Sequence, residues 1–95
     1  MVVLSHNGID VDKKLASRVN GIDIILGGHT HDAVPNTIEV KNNSGITLVA
    51  NSGCNGKFIS VMDINFLGKS YTYGYNLIPI LSNQIVPNKD MERYI

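Results

Sequence analysis

The 95-residue sequence has no tryptophan, three prolines and a single cysteine, Cys54. One cysteine excludes an internal disulfide, so stability has to come from an apolar core. Net charge is also missing: eight basic residues balance eight acidic ones. No cationic field is available to attract nucleic acid or an anionic membrane surface, and neither is expected as a partner. No apolar run approaches the ~20 residues that span a bilayer. The stretch from Met1 to His6 is too short and too uncharged to read as a signal peptide. No repeat or low-complexity segment is present. What is there is 43% apolar and 17% charged, a balance that suits one small globular domain with a core and excludes a polar, disordered chain. Histidine is scarce as well. His6, His29 and His31 are the full set, and they carry most of the functional reading.

Met1 to Leu4 is a valine-rich run that reads as a buried strand. Val11, Leu15, Ala16 and Val19 then recur at spacings of three and four, with Lys13, Lys14 and Arg18 on the other face, which predicts an amphipathic helix. Asp10 and Asp12 at its start suit the helix dipole, and Asn20-Gly21 stops it. Ile22 to Leu26 is a second apolar run. Strand, helix and strand in this order predict a βαβ unit with its strands parallel in one sheet, hence an α/β fold. The second half is antiparallel in character. Thr37 to Lys41, a turn at 42–45 and Ile46 to Ala50 read as a hairpin, and Asn51 to Gly56 as a loop. Phe58 to Phe66 forms a longer strand with Phe58, Ser60, Met62, Ile64 and Phe66 on one face. Gly68-Lys69 turns the chain into a strand where Tyr71, Tyr73 and Tyr75 alternate, running on to Ile80. Pro87 followed by Asp90 and Glu92 reads as a helix start.

Gly27-Gly28-His29-Thr30-His31-Asp32 follows directly on the second strand, and Ser5-His6-Asn7-Gly8 directly on the first. In open α/β sheets, ligands bind beyond the carboxyl ends of the strands. The βαβ reading therefore brings all three histidines to one sheet edge. Neutral imidazole binds borderline divalent metals such as zinc, manganese, iron and cobalt. Three histidines cannot fill a two-metal site, which also needs carboxylates. Asp10, Asp12 and Asp32 are the nearby candidates, but none has a spacing that demands a ligand role. Asp10 and Asp12 are most simply helix-start residues, and Asp32 a turn cap or a support for His31. The tyrosine row reads as a packed strand face. Cys54 reads as a small packed or idle thiol, with a redox or nucleophilic role as the alternative. Lys57 reads as solvated, with an anionic substrate as its alternative.

Leu4-Ser5-His6-Asn7-Gly8 together with Gly27-Gly28-His29-Thr30-His31-Asp32 resembles the last two motifs of the calcineurin-like metallophosphoesterase superfamily. Asn51-Ser52-Gly53-Cys54-Asn55-Gly56-Lys57-Phe58 resembles a stretch of its 5′-nucleotidase branch. Within that branch, the wording of residues 5–35 and of Leu77 to Asn83 is similar to SoxB-type thiosulfohydrolases of bacterial sulfur oxidation. The resemblance implies part of a metallophosphoesterase-like αββα sandwich, with residues 1–82 as the C-terminal part of the catalytic domain. Residues 83–95 are then a linker and the start of a following segment, truncated. It implies a dinuclear site with two divalent ions, manganese in SoxB-type enzymes. His6 and His29 would bind one ion and His31 the other. The remaining ligands and the general-acid histidine would lie upstream, so no catalytic residue is expected in this stretch, which alone would be inactive. The implied reaction is release of sulfate from a cysteine S-thiosulfonate on a SoxYZ-type carrier protein, in the periplasm. The alternatives are a periplasmic 5′-nucleotidase or cyclic phosphodiesterase of the same fold, and a non-catalytic metal-binding module.

Overall fold

The computed structural model describes residues 1–83 and 86–94. Short β-branched and aliphatic runs form the strands of a mixed sheet: β1 (Val2–Leu4), β2 (Ile24–Gly27), β3 (Ile38–Asn42) and β4 (Gly45–Asn51). The order across the sheet is β1-β2-β4-β3. β1 and β4 both run parallel to β2, and β3 returns antiparallel to β4. The helix α1 (Ile9–Arg18) crosses between β1 and β2 and closes the expected βαβ unit. A second, two-stranded sheet is the hairpin β5 (Phe58–Leu67) and β6 (Ser70–Pro79), followed by a short helix α2 (Lys89–Tyr94). β6 ends one residue short of the expected Ile80. The α/β class, the βαβ start and the antiparallel second half are as expected. The expected linker at 83–95 includes residues 84, 85 and 95, which lie outside the described residues.

The core forms where α1 meets the sheet. Ala16, Ile22, Ile25 and Val49 are buried there, with Val3, Leu15, Ile38 and Val40 packed around them. Each large side chain so buried contributes about 1.5–3 kcal/mol. Two polar groups lock the layers together. Thr47 is fully buried and donates to the Ile22 carbonyl at 2.6 Å. The Asn42 amide donates to the Ala16 carbonyl and to the Thr47 hydroxyl, both at 2.9 Å.

The long hairpin lies along the opposite face of the sheet. The Thr37 hydroxyl donates to Tyr73 Oη at 3.1 Å, and the Tyr73 hydroxyl donates to Glu39 at 2.7 Å. Tyr75 shares a hydrogen bond with Ser60 at 2.7 Å, and Ser60 shares one with Ser52 at 2.5 Å. The tyrosine row is thus a packed face, as expected, but its hydroxyls do much of the anchoring.

Two expectations need correction. β1 is not buried: Val2 is 56% and Leu4 81% exposed. It is the edge strand, and only Val3 points into the α1 core. In α1 the inward stripe is Asp12, Leu15 and Ala16, whereas Val11 is 51% exposed. Asp12 does lie in the first helical turn, as expected, but it is a buried carboxylate.

Candidate metal centre

β1 and β2 are parallel and in register, so the chain leaves both at the same sheet edge. The Ser5 amide donates to the Leu26 carbonyl at 2.9 Å, carrying the ladder one residue beyond β1. His6 follows at once. From β2, Gly27 and Gly28 lead into His29. The two imidazoles meet edge to face, with ring centroids 5.0 Å apart and planes at 64°. Gly28 lies directly against His6: a Cβ there would be in ordinary contact with its Nδ1, at 3.4 Å. The Ile9 amide donates to Thr30 Oγ1 at 3.1 Å and ties the start of α1 to the same loop.

The histidine loop is conformationally costly. His29 has φ 82° and His31 φ 61°, both in the left-handed region that non-glycine residues seldom occupy. Strain of this kind concentrates at ligand-binding segments. Beyond His31 the chain is stitched to the end of β4. Ala33 bridges Ser52, the Val34 amide donates to Asn51 O at 3.0 Å, and the Gly53 amide donates to Asp32 O at 2.8 Å.

His6 and His29 are brought together as the βαβ reading expects, and both are exposed at the sheet edge. The expected convergence of all three is not seen. Among the described residues, no three His, Cys, Asp or Glu side chains form a group able to hold a metal ion. His31 sits two residues along the same loop, where the backbone turns into the Ala33–Ser52 bridge. The donor set fits a divalent ion in part: two imidazoles from two strand ends suit one borderline metal, and further ligands have to come from elsewhere. Asp10 and Asp32 are exposed. Cys54 is a half-buried free thiol, and Lys57 is exposed.

The sequence reading did not foresee the burial of two polar residues close behind the histidines. Asp12 is fully buried and accepts from the Ser5 hydroxyl at 2.5 Å. Asn51 is 2% exposed at the end of β4. The signal for Asp12 was its place one helical turn before Ala16, on the stripe that faces the sheet. Asn51 opens the stretch that resembles the 5′-nucleotidase branch, but nothing in the sequence marks its burial.

No protein-family model matches the sequence. Curated proteins do. The chain is 42% identical over 66 residues to the trifunctional nucleotide phosphoesterase protein YfkN of Bacillus subtilis, covering 70% of this chain and 4% of that protein. It is 30% identical over 106 residues to an apyrase of Anopheles gambiae, covering 90% of this chain and 19% of the apyrase. It is 26% identical over 105 residues to snake venom 5′-nucleotidase of Crotalus adamanteus, covering 96% of this chain and 17% of that protein. The chain thus spans between 4% and 19% of the length of these relatives. The homologues are hydrolases, and they support the 5′-nucleotidase branch of the metallophosphoesterase superfamily that the histidine motifs resemble. A SoxB-type identity within that branch has no support among them.

Proposed function

We propose that this chain is a segment of a divalent-metal-dependent phosphoesterase of the 5′-nucleotidase type, acting on nucleotides. The observation that carries the reading is the meeting of His6 and His29, from two parallel strand ends, at 5.0 Å. The relatives supply the substrate class, since their names speak of nucleotide phosphoesters and nucleotidase activity. In this reading His6 and His29 hold one ion and His31 reaches a second. A divalent ion bound there acidifies water and offsets charge on the phosphate oxygens. The chain's own part is to present the imidazoles. The β1–β2 ladder sets their separation, and Thr30 pins the loop to α1. Other ligands and the general acid belong to the rest of the enzyme. The venom relative favours a site of action outside the cytoplasm, and no helix among the described residues is long and apolar enough to cross a membrane.

The test uses the full-length protein with a nucleoside monophosphate, and separately with a thiosulfonate-loaded carrier protein. Phosphate release that stops on chelation and returns with manganese or zinc is the expected result. Sulfate release without nucleotide turnover would instead restore the SoxB-type reading, with its SoxYZ-type carrier and periplasmic site. Tight metal binding with no turnover of either would leave a non-catalytic module. His29→Ala in the full-length protein should weaken binding of the ion by more than about tenfold, read by metal content after dialysis.

A further inference from the structure

Asp12 occupies a position where the packing calls for an apolar side chain. It lies on the inward stripe of α1 with Ala16, and neither residue is accessible to solvent. A buried carboxylate is costly unless its oxygens find partners. A helix-dipole role does not require burial, because Asp10 in the same turn is exposed. What Asp12 does hold is the loop bearing His6. Its Oδ1 accepts from the Ser5 hydroxyl at 2.5 Å, and the Asn7 side-chain amide donates to that same hydroxyl oxygen at 3.1 Å. The residues on either side of His6 are therefore joined through one oxygen, and that oxygen is anchored to a carboxylate in the interior.

The far side of the carboxylate is shaped too. Asp12 Oδ2 has no hydrogen-bond partner among the described residues. It lies under Gly27, where an added Cβ would come within 2.5 Å of it. The same point is 3.6 Å from Asn51 Oδ1, and the buried Asn51 amide also lacks a partner among the described residues. The ends of β2 and β4, and the residue after β1, thus meet over Asp12. Gly27 is needed there because any side chain would displace the carboxylate.

We propose that Asp12 is a positioning residue for His6, acting through the Ser5 hydroxyl, so that affinity for the metal depends on a side chain that never touches it. The proposal rests on the metal-centre reading above. Groups that orient a metal-binding histidine commonly contribute about 10–100-fold in affinity.

The experiment titrates the full-length protein with manganese chloride by calorimetry and follows the melting of the metal-free form separately. Ser5→Ala removes the link between Asp12 and the His6 loop. It should weaken manganese binding by about 10–100-fold and also lower the metal-free melting temperature, because the buried Asp12 carboxylate loses its hydroxyl partner; the titration is run well below that temperature, so that lost affinity is not lost fold. Asp12→Asn and Gly27→Ala should weaken binding similarly, since one removes the acceptor's charge and the other pushes it aside. Ser5→Thr keeps the hydroxyl and should recover most of the affinity. Wild-type affinity in Ser5→Ala would overturn the proposal, as would equal losses in Ser5→Ala and Ser5→Thr. If the wild-type protein binds no manganese, zinc or other divalent ion, the metal-centre reading falls and this one with it. That outcome is recognisable because it precedes any substitution.

Discussion

At Gly8 the backbone takes φ 94° and ψ 155°, a region that glycine alone enters without strain. A Cβ there would stand 2.7 Å from Thr30 Cγ2. Gly8→Ala therefore combines backbone strain with a steric clash and should destabilise the fold by about 1–3 kcal/mol, measured by urea denaturation. Adding Thr30→Ser removes the clashing methyl and keeps the hydroxyl that Ile9 uses, so the double variant should recover the steric part of that loss but not the backbone part. At this scale the sequence was readable where residue type and local order suffice. His6 and His29 were placed at the same sheet edge from two strand-then-loop patterns. Asp12 stands in the first helical turn as read, but acidic residues are so common there that its burial on the inward stripe went unseen. His31 shows the limit of spacing arguments: His29 and His31 both take left-handed backbone, and no residue type announces it.

The hairpin of β5 and β6 is anchored through phenol groups, and this makes it sensitive to alkali. Burial, with the negative charge of Asp23 and the neighbouring Tyr73, pushes the Tyr71 hydroxyl above its ordinary pKa of 10.0. For Tyr73 the Thr37 hydrogen bond pulls downward, but Glu39 and burial outweigh it, and the net direction is also up. In both cases the folded chain holds the phenol proton more tightly than the unfolded chain. Stability from these groups is complete below about pH 10 and is lost as pH rises through the raised folded values. A phenolate absorbance titration should show two of the tyrosines ionising later in the native chain than in urea. Tyr73→Phe should leave one late-ionising tyrosine, Tyr71, and remove the hydrogen bond to Glu39. Elements of this kind were legible, since alternation over ten residues in β5 and ten in β6 leaves one pattern. The burial of β1 was not. An apolar triplet looks the same at the edge of a sheet as in its middle, and only strand order separates the two.

Among the described residues, the helix α1, the four-stranded sheet and the hairpin form three layers that leave much apolar surface open. Leu4 is 81%, Phe66 75% and Leu67 65% exposed. Beside the edge strand β1, Val2 also lines a cleft with Ile64, Phe66 and Tyr71 at the hairpin end. Exposed apolar edges invite pairing with other chains. The 95-residue chain on its own should therefore associate in a concentration-dependent way by sedimentation, and Leu4→Lys should reduce this. A monodisperse chain at high concentration would contradict the expectation. The layer plan was predictable from the order of patterns, but how the layers cover one another depends on the hydroxyl contacts of Thr37, Ser52 and Ser60, which have no signature of their own. The meeting of His6 and His29 has one more effect. Since α1 and β2 lie between them in the chain, a ligand gripping both rings would close that stretch into a loop and tie its start, just after β1, to its end, just after β2. Escape of that ligand and parting of β1 from β2 would then share a barrier, so saturating the site should slow unfolding of the unit as well as favour its folded form.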